Sequence, residues 1–73
     1  MTTAAVSIGS TVKLNKALPY VKTAESKPML RPGTVISTDE EGIVISRHPA
    51  DTWGVRFMRG SFLINNDDLE IIE

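Results

Sequence analysis

Alternation with a period of two, and a helical period nowhere, is what most constrains this chain. Between Asp39 and Phe57 two runs, Ile43–Arg47 and Thr52–Phe57, flank a polar turn, which is the pattern of a β-hairpin. Trp53, Val55 and Phe57 alternate with Gly54 and Arg56, so an extended chain places the three large apolar side chains on one face. Ile43, Val44 and Ile45 are apolar in succession, which predicts a central strand covered on both sides or a twisted strand at a barrel corner. Pro49 bars a continuous strand through His48–Asp51, and Asp51 can bond its own turn.

Thr11–Asn15 alternates in the same way and predicts a first strand with Val12 and Leu14 inward. From Lys16 to Gly33 no period survives, and Pro19, Pro28 and Pro32 each remove a backbone donor, so a long loop is expected. Its Leu18, Tyr20, Val21, Met29 and Leu30 are not the residues of a solvated linker, and the loop is expected to pack on the barrel. Thr34–Ser37 reads as a short strand, Thr38–Gly42 as an acidic turn, and Met58–Ser61 as a tight turn with Gly60 left-handed. Phe62–Ile64 makes a further strand, Asn65–Asp68 one turn of 3₁₀ helix, and Leu69–Ile72 the closing strand. The expectation is an all-β, small five-stranded SH3-like barrel, a single domain over residues 9–73 with a flexible N-terminus over 1–8. Tyr20, Trp53, Phe57 and Phe62 would fill its core with Val12, Leu14, Val35, Ile43, Ile45, Val55, Ile64, Leu69 and Ile71, Trp53 being core or half-buried.

The chain has 73 residues and no cysteine, so a small core must hold it without disulfides or thiolate-bound metal. Its net charge of −1 hides an asymmetry. Residues 1–36 carry Lys13, Lys16, Lys22, Lys27 and Arg31 against Glu25 alone, whereas residues 67–73 carry Asp67, Asp68, Glu70 and Glu73 and no base. Either the sheet brings these segments together and they neutralise one another, or the first loop builds a positive face with Arg56 and Arg59 nearby. Met1–Ser7 lacks a basic n-region and a sustained apolar run, and no stretch reaches the roughly 18 apolar residues of a membrane span, so a soluble, cytoplasmic protein is expected.

Sites for chemistry are sparse. His48 is the single histidine and sits in the predicted turn, whereas a metal site normally needs three or four ligands. Glu40 with Glu41, and Asp67 with Asp68, read as solvated turn acids rather than a convergent, desolvated dyad. No phosphate-binding loop or nucleophile elbow occurs in the sequence. The chain is therefore expected to be a non-enzyme without metal, cofactor or small-molecule substrate.

Six segments carry a resemblance: Pro19–Ala24, Met29–Pro32, Glu40–Gly42, Trp53–Phe57, Arg59–Leu63 and Asp68–Glu70. Together they resemble the SipA family, small cyanobacterial proteins that interact with the sensor histidine kinase NblS. The resemblance implies an SH3-like barrel that binds the ATP-binding catalytic region of such a kinase and modulates it in two-component light and nutrient-stress signalling. On that reading the partner would be met by Tyr20, Lys22, Lys27, Met29, Leu30 and Arg31 of the long loop, with Arg59 and Phe62 at the neighbouring turn. The protein would be a monomer and would not insert into a membrane. Tyr20 and Leu30 would otherwise close the barrel end and serve stability alone.

Other classes are weaker. A nucleic-acid-binding barrel is disfavoured by the net charge, which would confine binding to a local, salt-sensitive patch. A polyproline groove at Tyr20 and Trp53 lacks the acidic first loop of peptide-binding SH3 domains. An SH3-like accessory subunit of a redox enzyme rests on fold analogy.

Overall fold

Strands account for most of the computed structural model, which describes residues 6–72. They are β1 (Thr11–Leu14), β2 (Tyr20–Thr23), β3 (Leu30–Pro32), β4 (Gly42–His48), β5 (Thr52–Phe57), β6 (Gly60–Asn65) and β7 (Leu69–Ile71). All seven join one antiparallel sheet in the order β3-β2-β6-β5-β4-β1-β7. Single 3₁₀ turns lie at Gly33–Val35 and Asn66–Asp68. This is the small all-β domain the alternation predicts, with seven strands, five of them at expected segments.

The two added strands lie inside the expected loop. In β2, Val21 and Thr23 are buried while Tyr20 and Lys22 face outward, a period of two too short to stand out between prolines. Gly33 closes the β2–β3 hairpin, its N–H donating to the Pro19 carbonyl at 3.2 Å. The strand expected over Thr34–Ser37 is instead the 3₁₀ turn, with the Ile36 N–H on the Gly33 carbonyl at 3.2 Å.

One face of the sheet carries the core. Val12 and Leu14 of β1, Val21 of β2, Val44 of β4, Val55 and Phe57 of β5, Phe62 and Ile64 of β6 and Leu69 of β7 are buried in one cluster. Strands far apart in the sheet order meet there, so the sheet must coil around its own face. The Phe57 and Phe62 rings sit 6.5 Å apart at a tilt of 48°. Val6 and Ile36 complete the cluster from outside the strands. Val6 lies within the N-terminus expected to be flexible; it is buried, and just beyond it Gly9 N–H donates to Val44 O at 2.8 Å while Val44 N–H donates to Ser10 O at 3.0 Å. Residues 1–5 of that segment lie outside the described residues.

Three expected core residues are not in the core. Ile43 and Ile45 are each 43% exposed, because β4 turns Gly42 and Val44 inward. The β4–β5 register shifts between Val44 and Ser46, leaving Ile45 as the extra residue of a β-bulge. Tyr20 points outward from β2. Trp53 is half-buried, its Nε1–H donating to Asn66 Oδ1 at 3.1 Å. His48 ends β4 rather than entering the turn, with Nε2 2.9 Å from Ser46 Oγ. In the turn itself Ala50 and Asp51 hold φ of 62° and 55°, and the Asp51 carbonyl accepts the Asn66 N–H at 2.7 Å.

Two substitutions test these backbone constraints by thermal and urea unfolding. A Cβ on Gly33 would be driven into the Leu18 carbonyl oxygen, so Gly33→Ala should lower the unfolding free energy by about 2 kcal/mol. Ala50→Gly should raise it by about 0.5 kcal/mol, since relief of the left-handed strain at Ala50 outweighs the added freedom of glycine in the unfolded chain.

Candidate functional site

The β2–β3 hairpin gathers most of the residues that the sequence singled out, and its register sorts them onto two faces. Lys22 lies opposite Leu30, Tyr20 opposite Pro32 and Val21 opposite Arg31. Directly opposed residues share a face. Tyr20, Lys22 and Leu30 therefore stand on the outer face, whereas Arg31 follows the buried Val21 to the inner side at the sheet's edge. Met29 joins that inner side beside Thr23, whose N–H donates to Met29 O at 2.8 Å and whose Oγ1 accepts the Met29 N–H at 2.9 Å. Tyr20, Met29 and Leu30 are 58%, 51% and 61% exposed. Lys27 is exposed in the turn between the two strands.

On the outer side the sheet forks. β2 pairs with β6 at Lys22–Leu63 and Thr23–Phe62, yet both strands run on past Lys22 and Leu63 without pairing. The Ala24 N–H to Ser61 O bond of 2.9 Å sets the phase of the ladder. Two-residue alternation from that bond aims the backbone groups of Tyr20 and Asn65 at each other across the gap. The fork opens a groove of about 420 Å³ lined by Leu18, Tyr20, Val21, Leu63 and Ile64, with Lys22 and Asp68 on its rim. Leu63 was absent from the sequence-based set; the alternation of β6, with Phe62 and Ile64 inward, is the signal that would have found it.

On the inner side Arg31 and Arg59 share a cavity of about 340 Å³ with Thr23, Glu25, Val35 and Phe62. Arg59 thus meets the hairpin as expected. Phe62 does not act as an exposed contact: it is 4% exposed, because β6 turns it onto Phe57, and it offers only the cavity floor.

Charge is divided between the two ends of the sheet. Lys13 lies opposite Glu70 in the β1–β7 pair, and Lys16 Nζ is 3.3 Å from Asp68 Oδ1. The acidic C-terminal segment therefore meets the two bases nearest β1. Lys22, Lys27, Arg31 and Arg59 have no ion-pair partner among the described residues. Arg56 lies elsewhere, opposite Ile43 and Ser61, and Arg47 stacks over the Trp53 ring with its guanidinium carbon 5.7 Å from the centroid. Among the described residues no group of three or more His, Cys, Asp or Glu is placed to hold a metal ion, and no helix is long and apolar enough to cross a membrane.

Comparison with known proteins assigns the chain differently from its short motifs. A family model described as Protein CHLORORESPIRATORY REDUCTION 42-like matches residues 8–69. The Arabidopsis thaliana protein named Protein CHLORORESPIRATORY REDUCTION 42, chloroplastic, is 30% identical over 69 residues, which is 93% of this chain and 57% of that protein. The chain thus spans little more than half the length of this relative. No solved structure matches. These matches overturn the resemblance to the SipA family, and with it the NblS-type kinase partner, the two-component stress signalling and the cyanobacterial attribution. The cytoplasmic expectation falls as well, the Arabidopsis relative being chloroplastic.

Unfolding measurements separate surface from core within the predicted site. Tyr20→Thr and Leu30→Thr, at outward positions, should each change stability by no more than about 0.5 kcal/mol. Phe62→Ala should cost about 3 to 5 kcal/mol.

Proposed function

Because the chain belongs to the Protein CHLORORESPIRATORY REDUCTION 42-like family, we propose that it is a non-catalytic protein-binding domain that works in chlororespiratory reduction and meets its partner through the β2–β3 hairpin. The observation that carries this reading is the concentration of exposed Tyr20, Met29 and Leu30 with Lys22, Lys27 and Arg31 on one hairpin, beside Arg59. Apolar and aromatic side chains held out on a strand pair lose little freedom on binding, and arginine is a usual source of binding energy. The fork beside them adds a concave apolar surface with unpaired backbone groups at its mouth.

His48 and Asp68, two groups that acid–base chemistry could use, are engaged in structural contacts. His48 is bonded to Ser46 over Gly54, and Asp68 is paired with Lys16. That favours binding over catalysis.

Removing the gene in the source organism should lower the rate of chlororespiratory reduction, and the intact chain should restore it. The double variant Tyr20→Thr, Leu30→Thr, folded by its unfolding curve, should fail to restore it. Full restoration by that variant would remove the hairpin as the contact surface, and an unchanged rate after gene removal would remove the process.

A further inference from the structure

We infer that the inner cavity between Arg31 and Arg59 takes a carboxylate side chain from an acidic segment of the partner protein, an inference that rests on the protein-binding reading above. Two arginines line one cavity of about 340 Å³ at the free edge of the sheet. Neither has an ion-pair partner among the described residues, whereas Lys16 at the other end pairs with Asp68. Arginine presents its donors as a planar fork that fits a carboxylate through two parallel bonds. Val35 and Phe62 add apolar side chains to an otherwise polar lining, and Met29 lies on the same side of the hairpin. An extended segment that alternates acid and apolar residues fits both features, since successive side chains of a strand point to opposite sides.

Two observations favour a protein carboxylate over nucleic acid. Glu25 lines the same cavity, so the charges there sum to +1, which one carboxylate neutralises and a run of backbone phosphates exceeds. Tyr20, the exposed aromatic of the hairpin, stands on the opposite face from Arg31, so no stacking platform adjoins the paired arginines.

The test is a titration of the isotope-labelled chain followed by amide and arginine side-chain resonances. The probes are a blocked peptide of alternating Glu and Val, its Gln counterpart, and a mixed-sequence single-stranded oligonucleotide. The Glu peptide should shift Arg31, Val35, Arg59 and Ser61 at low ionic strength, and the Gln peptide should bind about tenfold more weakly. Arg31→Gln and Arg59→Gln should each lose that preference with the fold intact by unfolding curve. Equal shifts from both peptides, no shifts at millimolar concentration, or stronger shifts at these residues from the oligonucleotide would each overturn the inference. Its failure is separable from failure of the wider reading. If Arg59→Gln restores chlororespiratory reduction where the Tyr20→Thr, Leu30→Thr variant does not, the carboxylate site is lost and the hairpin interface stands.

Discussion

The close approach of Gly33 to the Leu18 carbonyl holds the candidate surface in place. Where the chain returns from β3, its backbone passes so near Leu18 that no side chain fits, and the Gly33 N–H takes the Pro19 carbonyl. That contact pins both ends of the thirteen-residue excursion over 20–32 to the sheet, roughly the length at which an unpaired loop would otherwise be costly to order. With its base fixed, β2 can bury Val21 and Thr23, and the opposite residues are committed to solvent. The exposure of Tyr20, Lys22 and Leu30 is thus a consequence of how the core is closed at this end.

The same closure determines where charge is left over. A net charge of −1 describes a chain that would attract little. The sheet, however, sets β1 against β7, where Lys16 pairs with Asp68 and Lys13 lies opposite Glu70. What remains at the β3 edge is Lys22, Lys27, Arg31 and Arg59 against Glu25. Exposed ion pairs of this kind contribute little to stability, so their arrangement matters more for what the surface attracts than for what holds the fold.

Much of the fold was legible because a buried face needs alternation and the β4–β5 hairpin, β1 and β6 supply it. Where it failed, the physics was local. Ile43 and Ile45 looked like core because three apolar residues stand in a row, but the bulge at Ile45 gives β4 an extra residue that pairs with nothing and faces outward. β2 and β3 were hidden by prolines: Pro19 precedes one, Pro32 ends the other, and a proline on an edge strand costs no ladder bond. Of the candidate site, the hairpin residues were singled out by their apolar, aromatic and basic character in a segment without period, and Arg59 by the turn beside it. Their division onto two faces was not, since it follows from the Val21–Arg31 register, which no local pattern reveals.

Function was read least well, and the residues that misled explain why. The segments that suggested the SipA family are in large part the ones that build the sheet. Val55 and Phe57 are core, Trp53 reaches Asn66, and Phe62 packs on Phe57. Glu40 accepts the Met58 N–H at 2.8 Å across the turn, and Gly60 follows with φ of 138°. Leu69 closes the cluster from β7. Side chains with these duties are demanded by any small coiled sheet of this topology, whatever it binds. Positions free of such duty, Tyr20, Leu30 and Arg31 among them, carry information about a partner, but they are few and their neighbours in sequence are not their neighbours on the surface. A match over residues 8–69 integrates both kinds of position, which is why it assigns the family where short motifs did not.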